Sequence, residues 1–97
     1  MTEQIHHIVV SYDIRDDKRL TKVGKAMKDY GERVLLSVWE CNLTYAQFEE
    51  MKRRLESLID HMEDSVRYYF LCDKCIKKIQ VSGLGSKFSE DSDVLVL

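Results

Sequence analysis

The segment Ile5–Tyr12 constrains the fold most, because it is apolar on both faces of a predicted strand. Its apolar residues alternate in two sets, with Ile8, Val10 and Tyr12 on one face and Ile5 and Val9 on the other. A strand of this kind is usually covered on both faces. A chain of 97 residues can place helices over one face. The other face therefore calls for a partner subunit.

A helix is predicted after this strand. Either Asp16 or Asp17 can cap its start, and Gly31 is suited to ending it. Its apolar residues recur at helical spacing: Leu20, Val23, Met27 and Tyr30.

The next segment, Arg33–Leu43, is again strand-like, either as one bent strand or as two antiparallel strands hinged near Ser37. Thr44 and Gln47 form a capping box, and a hydrophobic staple is predicted from the residues around it, Leu43 and Phe48. The helix that begins there carries one apolar face, made by Phe48, Met51, Leu55, Leu58, Ile59 and Met62.

Three strand-like segments follow: Ser65–Cys72, the short Ile79–Val81 and the apolar Asp93–Leu97. The element order predicts a single α+β domain over residues 1–97, a ferredoxin-like βαββαβ sandwich with both helices on one face of an antiparallel sheet. Residues 81–97 are expected to form a C-terminal loop and an extra strand that pairs with the partner subunit.

Composition narrows the class of protein. The net charge of −2 and pI of about 5.9 exclude a surface wholly devoted to nucleic acid, but they leave room for a local basic patch. No apolar run approaches the roughly 18 residues of a membrane span, and the N-terminus lacks a secretory signal. Three cysteines, an odd number, favour reduced thiols. We therefore expect a cytoplasmic protein that does not contact membranes.

The sharpest chemical feature is Asp13, at the end of the first strand. Carboxylate oxygens suit Mg²⁺ or Mn²⁺, and two copies of Asp13 facing each other across a two-fold axis would make a better metal site than one. Such an ion can activate water and stabilise charge on a phosphodiester. The alternative is that Asp13 ends the strand and accepts hydrogen bonds from turn amides.

Basic residues form a stripe on the first helix, read either as a phosphate-contacting surface or as an ordinary solvated face: Lys18, Arg19, Lys22, Lys25 and Lys28. Arg15 and Arg33 flank the first two strands and are better placed to contact phosphate. Tyr12 and Trp39 either stack on bases or pack inside the protein.

Cys72 and Cys75 form a single CxxC pair, which is interpreted as structural thiols, as half of an intersubunit zinc site or as a redox pair.

The strand-end YDI followed by DDKRL, then DYGERV, SVWECNLT and EDSVRYYFLC resemble, in order and spacing, the CRISPR-associated protein 2 family. The resemblance extends from Ile8 to about Gly85. It implies a ferredoxin-like fold, a symmetric homodimer completed by the last strand, and a Mg²⁺- or Mn²⁺-dependent endonuclease that cleaves single-stranded RNA or double-stranded DNA. It also implies a partner, the CRISPR-associated protein 1 integrase, and a role in integrating new spacer DNA.

By the same resemblance, Asp13 is the catalytic metal ligand. Supporting or nucleic-acid-binding roles fall to residues around it: Tyr12, Arg15, Lys18, Arg19, Lys22, Arg33 and Trp39. Two other functions stay open. One is a non-catalytic dimeric scaffold that binds double-stranded DNA and bridges integrase dimers. The other is a toxin-like ribonuclease of similar fold.

Overall fold

A computed structural model describes residues 4–72 of the chain. These residues form six elements, in the order β1 (His6–Asp13), α1 (Asp17–Met27), β2 (Gly31–Leu35), β3 (Val38–Leu43), α2 (Tyr45–Leu58) and β4 (Ser65–Leu71). The strands make one sheet in the order β2-β3-β1-β4, and every neighbouring pair is antiparallel. This βαββαβ arrangement confirms the predicted α+β class and ferredoxin-like topology.

Alternation along β1 decides which sheet face packs against the helices, because successive side chains point to opposite faces. Ile8, Val10 and Tyr12 are buried on one face. Ile8 lies opposite Cys41 and Val10 lies opposite Trp39 in β3, and both of these β3 residues are buried as well. The two helices supply the rest of this core with Val23, Ala26, Met27, Phe48, Met51 and Leu55.

The opposite face of the sheet has no helix over it within residues 4–72. Val9 and Ser11 of β1 and Val38 of β3 lie on this face and are half-buried. Asp13, at the exposed end of β1, shares their parity. The structure therefore places both helices on one face, as predicted, while coverage of the open face by a partner subunit stays a prediction.

The start of α1 was one of two predicted caps, and its end differs from the prediction. Asp16 is the N-cap, and its carboxylate accepts a hydrogen bond from the Arg19 amide at 3.0 Å. The prediction that Gly31 ends the helix is wrong, because α1 ends at Met27 and Gly31 begins β2. Close strand packing explains the glycine: a Cβ there would lie 2.3 Å from the carbonyl oxygen of Glu40.

The region after α1 is a hairpin of two strands, β2 and β3, so the two-strand alternative is confirmed. The capping box is confirmed too: the Thr44 hydroxyl accepts from the Gln47 amide at 3.2 Å, and the Gln47 side chain accepts from the Thr44 amide at 2.9 Å. The predicted apolar face of α2 extended too far along the chain, to Met62. The helix ends at Leu58, where Ile59 turns to extended backbone, so Met62 falls in the following turn and is 93% exposed.

Several sequence predictions concern residues outside the described range of 4–72. They are the short strand Ile79–Val81, the C-terminal strand Asp93–Leu97, and the second cysteine of the CxxC pair, Cys75. These stay predictions.

Two glycines give a matched test of the packing. We expect Gly31→Ala to lower the free energy of unfolding by about 1–3 kcal/mol, because the new methyl group would meet the backbone of β3. Gly24→Ala, in α1, is expected to raise it by up to about 1 kcal/mol, because alanine favours helix and its Cβ would lie 3.4 Å from the flexible end of Arg33. Urea unfolding of both variants checks this, and equal stabilities would contradict it.

Candidate functional site

A cleft of about 530 Å³ lies where the end of β1 meets α1 and the turn between β2 and β3. Its lining combines apolar, hydroxyl and charged side chains: Tyr12, Asp13, Ile14, Leu20, Thr21, Gly24, Lys25, Lys28, Arg33, Leu36 and Ser37. Three of these groups are cationic and one is a carboxylate. The cleft is therefore a concave, mainly basic surface beside the end of β1.

Two residues that line the cleft, Tyr12 and Arg33, are linked by contacts with Trp39. The Trp39 indole donates a hydrogen bond to the Tyr12 hydroxyl at 2.9 Å, and both residues are buried. The Arg33 guanidinium lies over the Trp39 ring, 5.1 Å from its centre. Of the two interpretations of Tyr12 and Trp39, packing inside the protein is the one observed. The Trp39 ring orients Arg33 through a cation–π contact.

Asp13 is exposed at the end of β1 and lies opposite Ser65 of β4 in the strand register. Within residues 4–72, its carboxylate forms no hydrogen bond or ion pair. The alternative in which Asp13 accepts hydrogen bonds from turn amides is thus not observed in the described part of the chain.

The other basic side chains predicted to contact nucleic acid are separated by the structure. Arg33 lines the cleft, together with Lys25 and Lys28 from the last part of α1. Lys18 and Lys22 are exposed on α1 but do not line it. The side chain of Arg15 is exposed as well.

Arg19 has a different environment, since its guanidinium forms a fork with the carboxylate of Asp64. Arg19 Nε donates to Asp64 Oδ2 at 2.7 Å and Nη2 donates to Oδ1 at 3.2 Å. Nη2 also contacts Glu63 at 3.2 Å. The Asp64 side chain is fully buried, whereas that of Arg19 is one quarter exposed. Arg19 is therefore engaged in an internal ion pair.

Comparison with known proteins assigns the chain to a family. The family described as CRISPR associated protein Cas2 matches residues 6–79. The chain belongs to this family. A relative from Moorella thermoacetica, "CRISPR-associated endoribonuclease Cas2 1", is 38% identical over 95 residues, which cover 93% of this chain and 99% of the relative. A Thermus thermophilus relative, "CRISPR-associated endonuclease Cas2 2", is 41% identical over 76 residues, covering 78% and 80%.

Solved structures agree with this assignment. The crystal structure of Streptococcus pyogenes Cas2 at pH 6.5 is similar with a TM-score of 0.72 and 38% identity, covering 79% of this chain and 99% of that one. A chain of a partial Cas6-RT-Cas1–Cas2 complex is similar with a TM-score of 0.69 and 25% identity, covering 77% and 88%. The sequence resemblance to the Cas2 family is thereby confirmed, and so is the ferredoxin-like fold.

Asp64 is the residue that sequence reasoning missed at this Cas2 site. Its partners Arg15 and Arg19 lie 49 and 45 positions away along the chain, so no local spacing connects them. The one available signal was a carboxylate directly before an apolar strand, where an uncompensated charge is costly. The Arg19 guanidinium holds the pKa of Asp64 well below its usual range, and hydrogen bonds from the amides of Asp60 and Arg15 act in the same direction against the effect of burial.

Metal ligands are sparse in the described part of this Cas2 chain. Residues 4–72 contain no group of three or more His, Cys, Asp or Glu side chains placed to hold a metal ion. The exposed carboxylate of Asp13 suits Mg²⁺ or Mn²⁺, which keep several waters and need one or two protein carboxylates. Residues 4–72 thus offer one exposed carboxylate at the end of β1, and metal binding by Asp13 stays a prediction.

The described cysteines differ in environment. Cys41 is buried opposite Ile8, and burial raises the pKa of its thiol to about 12, so it is a protonated packing residue. Cys72, the first residue of the CxxC pair, is exposed. The choice among structural, zinc and redox roles for that pair stays open because Cys75 lies outside the described residues.

Among residues 4–72, no helix is both long and apolar enough to cross a membrane.

Stability should depend on Asp64 at acid pH. Because the pKa of Asp64 is lowered in the folded state, its contribution is complete above the unfolded carboxyl pKa of roughly 3.9 and is lost as pH falls below it toward the folded pKa. We expect the free energy of unfolding of the wild type to drop more steeply below about pH 4 than that of Asp64→Asn. Asp17→Asn, which removes an exposed carboxylate, is the control and should follow the wild type. Parallel curves for wild type and Asp64→Asn would contradict this assignment.

Proposed function

We propose that this Cas2 family member takes part in CRISPR adaptation, the integration of new spacer DNA, as a metal-dependent endonuclease of the cytoplasm. Its proposed catalytic and metal-binding residue is Asp13. The observation that carries the proposal is the state of this carboxylate: it is exposed at the end of β1, beside a basic cleft, and forms no hydrogen bond or ion pair within residues 4–72.

A homodimer would supply the second ligand. The sheet face without helices carries Val9 and Val38, which are half-buried, and ends at Asp13. If two copies pack these faces together about a two-fold axis, each residue meets a symmetric surface. Asp13 of one copy would then lie near its twin, and the pair could hold Mg²⁺ or Mn²⁺.

Each group of the site has a proposed part in cleavage of a phosphodiester. A bound Mg²⁺ or Mn²⁺ would supply Lewis-acid polarisation of the phosphate and an activated water. Asp13 would hold the ion. Lys25, Lys28 and Arg33 attract the phosphate groups of the substrate into the cleft, and the Trp39 ring fixes the direction of the Arg33 fork.

The names of relatives and the chemistry of the cleft support a proposal for the substrate class. The Moorella relative is named an endoribonuclease and one Thermus relative an endonuclease. We propose single-stranded RNA or double-stranded DNA as the substrate of this chain. Basic side chains around a cleft bind the phosphates of either polymer.

The Asp13 hypothesis predicts a selective loss of activity. We expect Asp13→Asn to lower the rate of Mn²⁺-dependent cleavage by roughly 10²–10³-fold, because one group that acts on developing charge contributes that much. Asp17→Asn, an exposed change of the same type four positions along the chain, is the matched control and should keep full activity. Cleavage of labelled single-stranded RNA and double-stranded DNA gives the rates, and light scattering reports whether each variant keeps the same assembly.

Retention of cleavage by Asp13→Asn, with the assembly intact, would reject Asp13 as the catalytic ligand. Loss of cleavage by Asp17→Asn to the same extent would show that the effect comes from net charge instead.

A second candidate is a non-catalytic scaffold that binds double-stranded DNA and bridges dimers of the CRISPR-associated protein 1 integrase. It is favoured by the similarity to a chain in the Cas6-RT-Cas1–Cas2 complex and by the basic cleft, which can hold DNA without cutting it. Spacer acquisition in cells separates the two functions. Acquisition that persists in Asp13→Asn after cleavage is lost supports the scaffold, and acquisition that collapses while the integrase complex stays intact supports catalysis.

Both functions predict that the cleft binds phosphates. We expect the double variant Lys25→Ala/Lys28→Ala to weaken binding of a DNA duplex and to reduce the slope of log K against log salt by about 2, because two phosphate contacts are lost. The double variant Lys52→Ala/Arg53→Ala removes the same charge from α2 and should keep the wild-type slope. Fluorescence anisotropy across salt concentrations measures both. Equal slopes for the two double variants would place the nucleic acid on another surface.

A further inference from the structure

The strand register places Asp64 close to the candidate site. It is the residue directly before β4, whose first residue, Ser65, is the partner of Asp13 across the sheet. The end of β1 and the start of β4 therefore meet at this point. Asp64, a buried carboxylate, is one residue away from that contact.

All acceptor positions of the Asp64 carboxylate are used. Its Oδ1 accepts from the Arg15 amide at 3.0 Å and from Arg19 Nη2 at 3.2 Å. Its Oδ2 accepts from Arg19 Nε at 2.7 Å and from the Asp60 amide at 2.8 Å. A carboxylate offers about four lone-pair sites, so these four hydrogen bonds saturate it. Charge-assisted bonds of this type are stronger and more directional than neutral ones.

Three of these four bonds come from the segment that follows Asp13: one from the Arg15 amide and two from the Arg19 guanidinium. The Arg15 amide is two residues beyond Asp13, and Arg19 is in the first turn of α1. Asp13 itself is held on its N-terminal side by β1, which pairs with both β3 and β4. Without the carboxylate of Asp64, the segment from Asp13 into α1 would lose these three bonds to the residue before β4.

We propose that Asp64 is the positioning residue of the Asp13 site: its buried carboxylate clamps the chain immediately after Asp13 and so fixes the direction of the ligand-binding carboxylate. Arg19 completes the clamp as the fork that neutralises Asp64. This inference rests on the proposed function of Asp13 as a metal ligand. Mutation of residues that orient a metal ligand commonly lowers metal affinity or activity by about 10–100-fold.

Asp64→Asn tests the clamp, since the amide keeps the size of the side chain and removes its charge. Four quantities are measured: hydrogen exchange of the Arg15 amide by NMR, Mn²⁺ affinity by calorimetry, and kcat and KM for RNA cleavage. We expect faster exchange at Arg15, Mn²⁺ affinity weakened by about 10-fold, and a fall in kcat with little change in KM. Arg19→Lys, which keeps a cation but lacks the fork, should shift the same quantities less.

Two controls separate positioning from loss of stability. Asp29→Asn removes another ion-paired carboxylate, which lies just beyond the C-terminal end of α1 and contacts Arg54 of α2 at 2.7 Å. Leu55→Val destabilises the core without touching the clamp. Both should keep the wild-type Mn²⁺ affinity and Arg15 exchange. If Leu55→Val weakens Mn²⁺ binding as much as Asp64→Asn does, the positioning role is overturned.

The remaining outcomes distinguish the two hypotheses. Wild-type protein that binds no Mn²⁺, or an Asp13→Asn variant that binds it normally, overturns the proposed function and the metal site with it. Wild-type protein that binds Mn²⁺ through Asp13, together with Asp64→Asn that has unchanged affinity and unchanged Arg15 exchange, overturns the positioning role alone. Should Asp64→Asn fail to fold, Arg19→Lys decides between these outcomes by the same measurements.

Discussion

The position of β1 at the centre of the sheet is the constraint on which the rest of the structure depends. It pairs with β3 on one side and β4 on the other, so both of its edges are satisfied by backbone hydrogen bonds. Ile8 and Val10 bury one of its faces almost completely beneath the helices. The strand is therefore fixed in register and direction, and Asp13 at its end is delivered to a defined place beside β4 and α1.

The chemistry of the site depends on a division between charges that are paired and charges that are left available. Arg19 and Asp64 neutralise each other in a buried fork, while Asp13, Lys25 and Lys28 are exposed around the cleft. Pairing inside the fold offsets the desolvation cost of Asp64, and exposure leaves the other groups in contact with solvent. A net charge of −2 is thus compatible with a basic cleft, because the location of charges rather than their sum sets the local potential.

Much of the fold could be predicted from local patterns. A segment that is apolar on both faces identified β1, alternation identified β4, the capping box at Thr44 located the start of α2, and Asp16 was one of two residues predicted to cap α1. Errors arose where a residue type has two uses. Gly31 was assigned to a helix end, but close contact between β2 and β3 is what requires it. Met62 continued a helical spacing that the turn after Leu58 interrupts.

By itself, the sequence determined the element order, the class of fold, the family and the presence of a carboxylate at the end of the first strand, since these are written in short-range periodicity and contiguous motifs. Only the tertiary structure decided which charges are free. Arg19 and Arg33 are the same residue type in the sequence. In the structure, Arg19 is bound to Asp64, whereas Arg33 lies over Trp39 at the cleft. The physical reason is that ion pairs and stacking form between residues distant along the chain, and the packing of strands and helices brings those residues together.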